Sequence, residues 1–138
     1  MQNKSPNSRF GIDINEYTQD VNFQVLATKI DFLYLRASGS ATGRVDKKFI
    51  GFARESRNYG IPVGAYHFGV PSYDLTDADR QCDDFIDTLQ QGFGAKDYGD
   101  LFPVLDIETP VENKLPTATL IDWIDRFRKR FEKKTRRR

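Results

Sequence analysis

Four short runs of β-forming residues, each followed by a stretch with helical periodicity, constrain this chain more than any other feature. The first run is Phe10-Gly11-Ile12-Asp13-Ile14-Asn15, and Val21 to Thr28 after it reads as a short helix that Asp20 or Asn22 can cap. The second is Phe32-Leu33-Tyr34-Leu35-Arg36-Ala37. A helix from about Asp46 to Tyr59 follows, with Phe49, Phe52, Ala53 and Ser56 on one face, and Gly60 and Pro62 end it. The third run is Ile61 to Phe68. The next helix begins near Thr76, where Thr76 and Asp79 resemble a capping box. Ala78, Cys82, Phe85, Ile86 and Leu89 give it an apolar stripe of period 3.6. The fourth run is Phe102 to Glu108, and a helix from near Thr117 turns Leu120, Trp123, Ile124, Phe127 and Phe131 one way. Such alternation predicts an α/β fold: parallel strands joined by right-handed crossovers, in an open doubly wound sheet or a (β/α) barrel.

The fourth run carries the chemistry. Phe102-Pro103-Val104-Leu105-Asp106-Ile107-Glu108 reads as a short buried strand ending in two carboxylates. Side chains alternate along a strand, so Asp106 and Glu108 point to the same side. Carboxylates at the end of an apolar strand are costly to desolvate unless something uses or pairs them. Two readings stand: they cap the next helix or pair with Arg or Lys, or they form a site at the carboxyl end of the strand. Asp13 ends the first strand in the same way, so in a barrel three carboxylates converge on one rim. Residues two apart on a strand are about 6.6–6.8 Å apart at Cα. Glycosidase carboxyl pairs lie about 5–5.5 Å apart in retaining enzymes and about 6.5–9.5 Å in inverting ones, so the spacing suits glycoside chemistry without selecting its stereochemistry. Crowded acids also raise one pKa, which leaves a proton to donate.

Composition bounds the alternatives. A chain of 138 residues, 38% hydrophobic and 30% charged, has material for one globular domain. No apolar run approaches the roughly 20 residues of a membrane span. Met1 to Phe10 is polar and shows no signal-peptide h-region. With one Cys and one His, a disulfide framework and a Cys/His zinc site are not expected. Cys82 falls on an apolar helix stripe and reads as a small core residue. From Arg126 to Arg138, nine Lys or Arg and one Glu give +8 against a net charge of +1, so the other 125 residues carry −7. The basic segment either continues the last helix with a solvated face, favoured by the macrodipole, or anchors the chain to anionic polymers. No nucleic-acid-binding signature accompanies it, so nucleic acid is not an expected partner.

The four runs together resemble the glycoside hydrolase family 25 lysozymes, the N-acetylmuramidases of bacteria and phages. The resemblance rests on Gly11-Ile12-Asp13-Ile14-Asn15, Phe32 to Ser38, Pro62-Val63-Gly64-Ala65-Tyr66-His67-Phe68 and Pro103-Val104-Leu105-Asp106-Ile107-Glu108, in that order. It covers about Phe10 to Phe131. It implies cleavage of the β-1,4 bond between N-acetylmuramic acid and N-acetylglucosamine in peptidoglycan, at the bacterial cell wall, outside the cell or after phage release. It implies Glu108 as proton donor and Asp106 as the carboxylate that stabilises positive charge or orients the substrate's N-acetyl group. Asp13 is the third acid, and Tyr66 and Arg36 are substrate-binding residues. His67, opposite Tyr66 by strand parity, is expected to be structural. No metal or organic cofactor is implied.

The resemblance also contains a departure. The family's barrel has eight strands, whereas four are read here, and a closed barrel usually takes about 200 residues or more. The expected fold is therefore the first half of a TIM-like barrel, apparently truncated after the fourth β-α unit. The expected organisation is a flexible N-terminus over 1–9, the half-barrel domain over 10–132 and a basic tail over 133–138. Unpaired edge strands invite pairing, so a homodimer through the barrel edges is an expectation. The alternative to an enzyme is a catalytically inactive half barrel that binds the cell wall or associates with itself.

Overall fold

The computed structural model describes residues 6–40, 42–108 and 114–137. Residues 1–5 of the expected N-terminal segment and Arg138 of the expected tail lie outside the described residues. The elements are β1 (Gly11–Ile14), α1 (Phe23–Leu26), β2 (Phe32–Gly39), β3 (Arg44–Val45), α2 (Phe49–Asn58), β4 (Val63–Gly69), α3 (Leu75–Phe93), β5 (Val104–Ile107) and α4 (Thr117–Thr135).

Period-two alternation decides the layers. Along β2, Leu33, Leu35 and Ala37 have no exposed surface, while Phe32, Tyr34 and Arg36 between them remain partly exposed. Along β4, Val63, Ala65 and His67 are buried, and Tyr66 and Phe68 face the other way. The buried set meets the apolar stripes of α2, α3 and α4. The other set is left on the open, concave face. The sheet order is β1-β2-β4-β5, all parallel, as the β-α alternation requires, and it curls into a half barrel. The two-residue β3, which the sequence reading passes over, runs antiparallel to Ser38 and Gly39 at the end of β2.

The helix stripes are those the periodicity predicts. Ala78, Cys82, Phe85, Ile86 and Leu89 of α3 are all buried. On α4, Trp123, Phe127 and Phe131 are buried, with Trp123 and Phe127 rings 5.8 Å apart. Each large apolar side chain removed from water stabilises by about 1.5–3 kcal/mol. His67 shares this core. Its ring lies 5.5 Å from Phe127 and 5.6 Å from Phe85. Nδ1 is 2.8 Å from Ser38 Oγ and Nε2 is 3.0 Å from Gln81 Oε1. Gln81 Oε1 also accepts from Val70 N–H, and Gln81 Nε2 donates to Val70 O and Asp77 Oδ2, so the amide's orientation is determined. His67 Nε2 must therefore carry the proton, and Nδ1 accepts from the Ser38 hydroxyl. Burial pushes the His67 pKa down to about 4, so the ring is neutral at physiological pH.

Three details depart from the sequence expectations. The Phe102–Glu108 run is an exposed edge rather than a buried strand: Phe102 is 64% and Val104 39% exposed, because among the described residues only β4 pairs with β5. The α3 cap is Asp74, not a Thr76–Asp79 box. Asp74 Oδ1 takes both the Thr76 N–H and its hydroxyl, and Asp79 is held by Arg126 of α4 instead. The second helix starts at Phe49 rather than Asp46, since Asp46 stays in the preceding loop, where its carboxylate accepts from Lys48 N–H, Glu16 N–H and Arg36 Nε. On α4, Arg126 pairs with Asp79, and Arg130 and Lys134 pair with Asp83. The basic segment continues the last helix with a solvated face, as one of the two readings has it, and Arg126, Arg130 and Lys134, though 36% to 48% exposed, also tie α4 to α3.

Candidate active site

Two glycines shape the floor of the concave face. A Cβ at Gly11 would lie 2.2 Å from the Phe32 ring, and one at Gly64 would lie 2.7 Å from the Tyr34 ring. Their absence of side chains lets both rings lie across neighbouring strands. The Tyr34 hydroxyl then reaches over β4 and donates to Phe102 O at 2.9 Å, tying β2 to the approach of β5.

Above this floor an open cleft of about 680 Å³ extends over the concave face, from Gly11, Phe32 and Val104 at the strand starts to Asp13, Asp106 and Glu108 toward the strand ends. Asp13, Asn15, Arg36, Tyr66, Asp106 and Glu108 all line it. The five residues singled out from the sequence therefore line one cleft, Asp13, Asp106 and Glu108 toward the carboxyl ends of their strands and Arg36 and Tyr66 midway along theirs. Asp13 of β1 and Glu108, just beyond β5, are exposed, while Asp106 is partly buried. Burial, then the neighbouring Glu108 carboxylate and a hydrogen bond to it, then Asp13, raise the Asp106 pKa above the ordinary carboxylate value. Asp106 thus holds a proton more readily than an ordinary aspartate.

Tyr66 stands opposite Arg36 in the β2–β4 register. Burial and the Asp13 charge raise its phenol pKa, while Arg36 and a hydrogen bond to Asn15 act against them. Arg36 is not a free cation. Its Nε donates to Asp46 Oδ2 at 3.0 Å, and its Nη2 lies 3.4 Å from Glu16 Oε1. Two carboxylates thus hold the guanidinium at the cleft wall. His67 stays on the opposite face of β4, in the core, as strand parity requires.

Asn15, Glu16 and Asp46 were not singled out from the sequence. Asn15 had a readable signal, since it lies two residues after Asp13 and so shares its side of the strand. Glu16 and Asp46 had none: the partners of the Glu16 side chain lie 20 to 31 residues away, and Asp46 reaches Arg36 ten residues away and the Glu16 N–H thirty away. Among the described residues, no group of three or more His, Cys, Asp or Glu is arranged to hold a metal ion, and no helix is long and apolar enough to cross a membrane.

The spore cortex lytic enzyme SleM of Clostridium perfringens is 63% identical, with a TM-score of 0.93 over 99% of this chain and 44% of its own. Lysozyme M1 of Streptomyces globisporus is 30% identical over 132 residues, covering 92% of this chain and 43% of that protein. The lysozyme of Streptomyces coelicolor is 26% identical, with a TM-score of 0.75 over 96% of this chain and 61% of its own. The chain spans less than half the length of the first two. The sequence model of Glycosyl hydrolases family 25 matches residues 12–138, and the chain belongs to that family.

Proposed function

We propose that this chain acts on peptidoglycan as a muramidase, hydrolysing the β-1,4 bond between N-acetylmuramic acid and N-acetylglucosamine at the bacterial cell wall. The observation that carries the reading is the meeting of Asp13, Asp106 and Glu108 in one cleft at the carboxyl ends of parallel strands. Lysozymes and a spore cortex lytic enzyme among the relatives support it.

In this reading Asp106 and Glu108 share one proton along their hydrogen bond. Glu108, the more exposed of the two, meets the glycosidic oxygen and gives it the proton as the C–O bond breaks. Asp106 is then left as the carboxylate that stabilises the developing positive charge or orients the N-acetyl group. Water adds hydroxyl to the anomeric carbon and returns its proton to the pair. Asp13 is the third acid, and Tyr66 and Arg36 contact the glycan along the wall.

The test is reducing-sugar release from purified peptidoglycan by the wild type and by Glu108→Gln. Loss of general acid catalysis lowers the rate by about 10²–10⁴-fold. Equal and negligible rates from two folded samples refute the reading. The rate also falls as pH rises through the raised pKa of Asp106, because the shared proton is then lost.

A second reading, a self-associating or wall-binding half barrel without turnover, is favoured by the edge positions of β1 and β5. Free edges pair with another chain. Sedimentation then shows a concentration-dependent dimer, and a clean monomer removes the self-association.

A further inference from the structure

The turn after β1 is pinned more firmly than its position requires. Asn15 Oδ1 accepts the Tyr17 N–H at 2.8 Å, Thr18 Oγ1 accepts the Asn15 N–H at 3.2 Å, and Asn15 O accepts the Thr18 N–H at 2.9 Å. The Glu16 N–H donates to Asp46 at 3.0 Å. The Glu16 side chain is 6% exposed and accepts from Lys47 N–H and from Arg44. Yet the residue this turn presents, Tyr17, is 67% exposed.

An exposed tyrosine normally samples several rotamers. Tyr17 is held. The Arg36 guanidinium lies 5.4 Å and that of Arg44 5.9 Å from its ring centroid, within cation–π range. Arg44 Nη2 also donates to its hydroxyl at 3.2 Å. The ring is thus oriented in advance while most of its surface stays open. Two of the residues that hold it, Asn15 and Arg36, line the cleft, so Tyr17 borders the cleft's β1–β2 end just outside that lining. Asp106 and Glu108 stand at the other end, three strand spacings away, or roughly 14 Å along the sheet.

We propose that Tyr17 is a stacking platform for a pyranose ring of the glycan, a subsite separated from the point of cleavage by the width of the sheet. The C–H face of a pyranose is apolar and matches an aromatic face, whereas its hydroxyls stay in water. Holding the ring beforehand removes the ordering cost that a mobile side chain would bring to binding. The carboxylates of Glu16 and Asp46 balance the two guanidiniums, so the platform favours a neutral sugar face over an anionic group. This inference rests on the reading of the cleft as a glycan site, and deepens it.

The test uses titration calorimetry with the β-1,4-linked dimer and tetramer of N-acetylglucosamine. The protein carries Glu108→Gln to prevent turnover, alone or with Tyr17→Ala, Tyr17→Phe or Tyr17→Trp. Tyr17→Ala weakens the tetramer about five- to tenfold and leaves the dimer unchanged, while Phe and Trp retain tetramer affinity. Because Tyr17 is exposed, circular dichroism should show every variant folded. An unchanged tetramer affinity in Tyr17→Ala, or an equal loss for dimer and tetramer, overturns the platform and leaves the glycan cleft standing. No binding of either sugar by the Glu108→Gln protein overturns both.

Discussion

Acid should unfold this protein partly through one residue. His67 is neutral in the folded state, with a pKa pushed down to about 4 by burial, while in the unfolded chain it titrates at the ordinary 6.5. As pH falls, the unfolded chain takes up the proton first. Stability from this group is therefore complete above about pH 6.5 and is lost as pH falls toward 4. The gap corresponds to about 3 kcal/mol at roughly 1.4 kcal/mol per pH unit. That is a large share of the roughly 5–15 kcal/mol that holds a typical domain. The arginine-paired Asp79, Asp83 and Asp97 are held below the usual carboxylate range, so they stay ionised through this window. Asp106 and Asp84 are shifted upward and oppose the trend, but they do so equally in a variant that lacks the imidazole. Urea unfolding of the wild type and His67→Gln at pH 7.5 and 4.5 isolates the difference: the wild type loses about 2–3 kcal/mol more than the variant. His67 is the chain's one histidine, so its C2–H resonance in proton NMR is unambiguous and should titrate well below 6.5. Parallel stability curves for the two proteins, or an NMR midpoint near 6.5, would refute the reasoning.

Two further outcomes follow from the core. Trp123→Ala removes a fully buried ring stacked on Phe127 and is expected to cost about 3–5 kcal/mol, read as a lower midpoint in denaturant unfolding. Cys82 is buried and its thiol is pushed up to about 12, so a thiol reagent at pH 8 should leave the native protein unmodified and react only after denaturation.

Local order was readable because it depends on residues close in sequence. The apolar stripe from Ala78 to Leu89 has one period and one solution, and all five of its residues are buried. Alternation in the Phe32 and Ile61 runs likewise separated Tyr66 from His67, whose side chains the structure puts on opposite faces of β4. Asp106 and Glu108, two apart on a strand, were set on one side by the same rule, and both line the cleft. The two-residue β3 was not readable, since among the described residues its ladder partners are Ser38 and Gly39 alone and nothing in Arg44–Val45 by itself favours a strand. The α3 cap was misread because Thr76 gives its N–H and hydroxyl to Asp74, two residues earlier, while Asp79 is taken by an arginine 47 residues further on.

The chain's own patterning therefore determined the number and order of parallel strands, the faces of the helices and the side of the sheet on which the acids stand. These follow from backbone geometry, which repeats every 2 or 3.6 residues whatever lies nearby. Charge partners were decided only in three dimensions. Arg36 joins Glu16 and Asp46, the basic face of α4 meets Asp79 and Asp83, and the rise in the Asp106 pKa comes first from burial, then from Glu108 and last from Asp13, three strands away in the sheet. Electrostatic energy and desolvation depend on distance and burial, and neither is defined until the chain has folded.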